Sequence, residues 1–323
     1  MIIKNGELKN FISGAVYYEE SDGLIPYRFS KKQIETSRDD INKVRHLTAS
    51  GIKIDFISDT NTLQFHYTVY TEFSSLIYKL YYFDVYADGV LVLHQGEKDL
   101  TTDREGNISL IFKEGRKHIT IYLPGSCAVK IEDFTIDDHA YIEQVSYDKN
   151  VYFFGDSITH TAYLEFPSLN YSNILSRKFR YNAVNQAIGG DIFDKNNLLY
   201  LPDFKADMIF VAYGTNDWCA AVEGMEENID AYLEKLSSLF PDVQINVILP
   251  IWRRDLNAYP QHLYSFDDMR NIIKKTAEKY RMNVLDGFDF VPRDEKFYTD
   301  KDLHPNEMGF LFYADSLENE MKK

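Results

Sequence analysis

The sequence predicts an α/β protein in two parts. An N-terminal β-sandwich or jelly roll covers residues 1–145. A C-terminal three-layer α/β/α domain, flavodoxin-like with a mostly parallel sheet, covers 146–323. Three observations carry this. The first 145 residues hold short alternating runs at close spacing and no long amphipathic helix. From residue 148 onward, apolar strand-like runs alternate with stretches of helical period. The length, 323 residues, is long for one core and comfortable for two.

In the first part, Ile52–Ile57 and Lys117–Leu123 read as strands, as does Ala128–Glu132. Thr62–Tyr70 alternates well. Tyr81–Tyr86 runs into Ala87-Asp88-Gly89-Val90, whose Asp-Gly pair signals a tight hairpin. The join to the second part falls between Asp137 and Asn150 and is short. Beyond it, Val151–Phe154 reads as a strand. Ser168–Phe179 reads as a helix capped by Ser168, with Leu169, Ile174 and Leu175 facing inward. Ala183–Asn185, Asp207–Tyr213, Ile245–Pro250 and Val284–Leu285 are the next strands. Met225–Leu239, Phe266–Tyr280 and Asn306–Met321 are the helices between and after them.

Composition bounds the function. A formal charge of −15 repels a phosphate backbone, and there is no basic tail, so nucleic acid is not an expected partner. No apolar run reaches membrane-spanning length and the start does not read as a signal peptide, so no membrane role is expected and a cytoplasmic location is. Cys127 and Cys219 fall in different parts and suggest no disulfide framework. The eight histidines are scattered without metal-ligand spacing, and no nucleotide loop is present, so neither metal nor cofactor is expected. The 24 Tyr and 22 Phe suit strands and buried faces, and equally sugar-binding surfaces.

Four short blocks carry the chemistry. Gly155-Asp156-Ser157-Ile158 ends the first strand of the second part. Gly189-Gly190-Asp191 follows the second strand, and Gly214-Thr215-Asn216-Asp217 follows the third. His304-Pro305-Asn306 opens the last helix. In a parallel sheet these positions converge on the carboxyl edge, where such folds bind ligands. A serine hydroxyl needs a base to become a nucleophile, and His304 can be that base near neutral pH. A carboxylate can orient its ring. The backbone N–H groups of Ser157 and Gly190 and the side-chain amide of Asn216 can stabilise an oxyanion.

Taken together, these blocks resemble those of the SGNH, or GDSL-like, hydrolase family over roughly residues 148–320. The resemblance implies Ser157 as nucleophile, Ser157, Gly190 and Asn216 as oxyanion donors, and His304 as base. The β-rich front half resembles the accessory sandwich that precedes some family members acting on acylated carbohydrates. One departure stands out. The family places an aspartate three residues before the histidine, and here that position is Lys301. Three arrangements remain open: Asp300 through a one-residue insertion, Asp302 through a changed turn, or a Ser-His dyad with a backbone carbonyl.

Each residue has a plainer reading. Ser157 alone would serve as a helix cap, Gly190 as a positive-φ turn, Asn216 as an Asx turn and His304 as a structural histidine. Asp217 is expected to be structural. His160, Trp218, Trp252 and Arg253 are candidate pocket residues. A first-turn histidine and an exposed salt-bridged loop compete with that role for His160 and for the 252–266 segment.

The expected function is therefore serine carboxylic-ester hydrolysis through an acyl-enzyme. The first substrate expectation is a short acyl group, acetyl above all, on an oligosaccharide or small molecule. A lysophospholipase or lipase-type acylhydrolase is the alternative, as is a carbohydrate-binding protein with a degenerate hydrolase half. The sequence leaves the oligomeric state open, a homo-oligomer included.

Overall fold

The computed structural model describes residues 1–71, 79–161, 163–258 and 262–323. Its contacts divide the chain into two units. One comprises Met1–Asp148 with Leu164–Ser168, and the other Lys149–Tyr163 with Leu169–Lys323. The break thus falls three residues beyond 145, and a five-residue segment of the second half packs with the first.

The first unit carries short helices α1 (Asn5–Leu8), α2 (Lys31–Glu35) and α3 (Asp40–His46). Its strands are β1 (Ile12–Ser13), β2 (Tyr17–Glu20), β3 (Leu24–Tyr27), β4 (Lys53–Ser58), β5 (Thr62–Tyr70) and β6 (Leu80–Ala87). They continue with β7 (Val90–Lys98), β8 (Arg104–Ile111), β9 (Lys117–Tyr122), β10 (Ala128–Ile136) and β11 (Ile142–Gln144). Two antiparallel sheets result. One runs β1-β4-β9-β6-β7 with β11 on β4, the other β2-β3-β10-β5-β8.

The period-two pattern of β5 explains the sandwich. Leu63, Phe65, Tyr67 and Val69 are buried, while Thr62 and Gln64 are exposed. Phe65 meets Phe83 of the other sheet edge-on at 6.0 Å and stacks on Phe134 at 5.6 Å. The Asp88-Gly89 turn joins β6 to β7 with φ of 50° and 77°, the paired positive values that a type I′ hairpin requires. Strands β2, β3, β8 and β11 lie outside the expected runs. In β8, Glu105, Gly106 and Asn107 have poor strand propensity, yet they pair along β5 and are held extended by it.

In the second unit, β12 (Lys149–Gly155), β13 (Tyr181–Asn185), β14 (Met208–Ala212), β15 (Gln244–Ile248) and β16 (Asn283–Leu285) form one sheet. Every pairing is parallel, in the order β13-β12-β14-β15-β16. Val151, Tyr152, Phe153 and Phe154 of β12 are all buried, as expected for a strand covered on both faces. The helices are α4 (Tyr171–Lys178), the short α5 (Thr215–Cys219), α6 (Met225–Leu239), α7 (Phe266–Lys279) and α8 (Glu307–Met321). Helix α4 packs with α8 and α6 with α7. This is the three-layer flavodoxin-like order, and β12 sits where the chain turns from one side of the sheet to the other.

One boundary differs from expectation. Ser168 does not cap a helix. It lies in a 3-10 turn, Pro167–Leu169, and Asn170 caps α4 by accepting from the Ser172 N–H at 2.9 Å. Pro167 fixes this turn ahead of the cap.

Candidate active site

The loops after β12, β13 and β14 and the turn before α8 supply the candidate residues. Ser157 lies two residues past the end of β12 and is almost fully buried. Its turn is held from inside. The buried Asp156 carboxylate accepts from the Ile158 N–H at 3.0 Å, and the Asp156 carbonyl accepts from the His160 N–H at 2.9 Å. Burial pushes the Asp156 carboxyl up to about 6.

Across the site, Ser157 Oγ stands 2.7 Å from His304 Nε2, and His304 Nδ1 stands 2.5 Å from Asp300 Oδ2. With Nδ1 donating to the carboxylate, Nε2 is left to accept the serine proton. The second oxygen of Asp300 accepts the backbone N–H groups of Asp302, Leu303 and His304 at 3.0, 2.9 and 3.1 Å. Partial burial pushes Asp300 up. The hydrogen bond from His304 and the backbone donors outweigh it and hold the carboxyl well below the ordinary range.

The extra residue in this turn is absorbed by Lys301, which takes a left-handed φ of 66°. Asp302 does not reach the histidine. It is exposed, and its carbonyl accepts from the Arg254 N–H at 2.9 Å. Nor does a lone backbone carbonyl face His304 Nδ1, because Asp300 occupies that place.

The other two loops approach the site in a similar way. Gly190, in the turn after β13, has φ of 75°, a conformation that costs glycine nothing. The preceding Gly189 N–H donates to Nδ1 of the buried His160 at 2.9 Å. His160, a candidate pocket residue, is buried, and this bond ties it to the glycine turn. Asn185, at the end of β13, donates to the Thr159 carbonyl at 2.7 Å and ties the same two loops together.

Asn216 opens the first turn of α5, and its side-chain amide donates to the Asp191 carbonyl at 2.9 Å, which fixes its orientation. Asp217 is buried, and its Oδ1 accepts from the Phe193 N–H at 3.1 Å. Gly214 precedes α5 with φ of 120°, and a Cβ there would meet Ile273 at 2.6 Å. Glycine is needed for α5 to start where it does.

The structure places the remaining candidates as follows. Arg253 is buried, its guanidinium forked onto Asp255 at 2.5 and 2.8 Å and donating to Thr215 Oγ1 at 2.9 Å, so it braces the start of α5. Trp218 is also buried. Its Nε1 donates to the Tyr264 carbonyl at 3.0 Å, and its ring lines a cavity of about 550 Å³ with Met225 and Leu263. Trp252 is half-buried and packs on Tyr298 at 5.6 Å. Within the expected irregular segment 252–266, residues 259–261 lie outside the described residues.

Tyr163 was not singled out by any sequence signal, yet its ring packs edge-to-face on His304 at 4.8 Å. Among the described residues, no group of three His, Cys, Asp or Glu side chains is placed to hold a metal, and no helix is long and apolar enough to cross a membrane.

Residues 153–310 match the model of the GDSL-like lipase/acylhydrolase family. The second unit has the SGNH/GDSL-like hydrolase fold. Solved structures share the fold across nearly the whole chain. A salicylyl-acyltransferase from a tetracycline biosynthetic pathway superposes with a TM-score of 0.83 at 20% identity, covering 96% of this chain and 93% of that one. A family two carbohydrate esterase from Cellvibrio japonicus gives 0.66 at 13% identity, covering 97% and 95%. An acetyl xylan esterase from the rumen bacterium Butyrivibrio proteoclasticus gives 0.62 at 13%, covering 98% and 97%. At these identities the likeness is one of fold, sandwich and SGNH domain together. Among curated proteins, none matches the sequence.

Proposed function

We propose that this protein is an SGNH-type serine carboxylic-ester hydrolase that removes short acyl groups, acetyl above all, from a carbohydrate or small molecule. The observation that carries the reading is the continuous line Ser157 Oγ, His304, Asp300, joined at 2.7 and 2.5 Å. Each contact lies within proton-transfer reach.

In this reading Ser157 Oγ attacks the acyl carbonyl while His304 Nε2 takes its proton. Asp300 keeps Nδ1 protonated and stabilises the imidazolium that forms. The oxyanion is met by the N–H groups of Ser157 and Gly190 and by the Asn216 amide, each donor worth about 3 kcal/mol to the transition state. His304 then protonates the leaving alcohol. Water, activated by the same imidazole, cleaves the acyl-enzyme and restores the serine. The acetyl-carbohydrate preference is supported by the two-part fold, which the two carbohydrate esterases named above share over nearly their whole length.

Steady-state turnover of 4-nitrophenyl acetate and of acetylated sugars tests the proposal. Ser157→Ala should lose at least about 10⁴-fold in kcat. A variant that turns these esters over as fast as the wild type would sink the mechanism.

A further inference from the structure

Resting on the ester-hydrolase reading, we infer that Tyr163 forms the wall of the site that receives the leaving alcohol.

The chemistry of the second half-step sets where the alcohol lies. His304 Nε2 must hand its proton to the leaving oxygen, so the alcohol carbons sit beside that imidazole. The ring of Tyr163 stands against the same imidazole, 4.8 Å between centroids at an interplanar angle of 65°. An aromatic ring there offers an apolar face to a cyclic alcohol, such as the C–H face of a pyranose, and little to a short flexible one.

Tyr163 is held in an unfavourable backbone conformation. It has φ of 67° and Thr161 has φ of 70°, two non-glycine residues in the left-handed region within three positions. Such conformations persist where surrounding structure imposes them. Within the second unit, Asn170 donates to the Ile158 carbonyl at 2.9 Å, one residue from the nucleophile.

The test compares two esters with one acyl group: an acetylated methyl xylopyranoside and ethyl acetate. Tyr163→Ala should lower the ratio of kcat/KM values, pyranoside over ethyl acetate, about tenfold, chiefly through KM. Tyr163→Phe should hold the ratio within about twofold, because the ring face and not the hydroxyl makes the wall. An unmoved ratio in Tyr163→Ala, or a collapse in Tyr163→Phe, overturns the wall. Wild type that hydrolyses neither ester overturns the esterase reading itself, which separates that failure from these.

Discussion

At the scale of single residues, Asp300 organises the catalytic turn. One of its oxygens gathers three backbone N–H groups and the other holds the imidazole. A neutral amide in its place would no longer fix the histidine tautomer. Asp300→Asn should therefore lower kcat by about 10²–10⁴-fold with KM little changed, whereas Asp302→Asn should stay within about twofold. Initial rates on an aryl acetate decide it, and equal losses in the two variants would contradict the geometry. The sequence could not separate these two aspartates. Residue spacing along the chain says nothing of φ, and the left-handed Lys301 is what turns Asp300 rather than Asp302 toward the ring. Ser157, Gly190, Asn216 and His304 stand out as candidates in the sequence because each sits in a short block next to a strand or helix end. Tyr163 was not, because its neighbours in sequence carry no motif and its contact is made only in three dimensions.

At the scale of elements, the short helix α5 presents Asn216 and is anchored by its neighbour Asp217. Burial pushes the Asp217 carboxyl up to about 7, and its Oδ2 has no hydrogen-bond partner among the described residues. Between the ordinary carboxylate value and about 7, the unfolded chain has released this proton while the folded chain still holds it. The stabilisation is fully present at low pH and is lost as pH rises through that window, by up to about 4 kcal/mol. Asp217→Asn carries no such proton. Its unfolding free energy relative to the wild type should rise from pH 4 to pH 8, read by urea titration at each pH. A constant difference would show that Asp217 is ionised in the fold. Helix α4 shows where sequence reading of elements stops. Its interior period is visible, but the cap lies at Asn170, two residues past the expected Ser168, because both are good caps and only Ser168 is claimed by Asp84.

At the scale of the whole molecule, the change from period-two strands to alternating strands and helices made both architectures legible before any coordinates. What it could not reveal were the buried polar centres. In the first unit, Asp55 meets Lys53 at 2.9 Å, His118 at 2.6 Å, Thr120 at 2.7 Å and Tyr147 at 2.6 Å. Burial opposes ionisation of Asp55, yet Lys53 and the hydrogen bonds win and hold it well below the usual range. Asp55→Ala leaves the buried Lys53 without its counter-ion and should cost the first unit about 3–5 kcal/mol. Both tryptophans, Trp218 and Trp252, lie in the second unit, so their fluorescence reports that unit alone. In Asp55→Ala, circular dichroism should gain an early thermal step that tryptophan fluorescence lacks. Coincident early transitions would mean the units melt as one. The parallel sheet has a further consequence, for the order of folding. Ser157 and His304 are 147 positions apart, and His304 stands just ahead of α8. Contacts this distant in sequence form late, because the loop between them must close first. The Ser157–His304 pair is thus expected to be among the last contacts of the second unit to form.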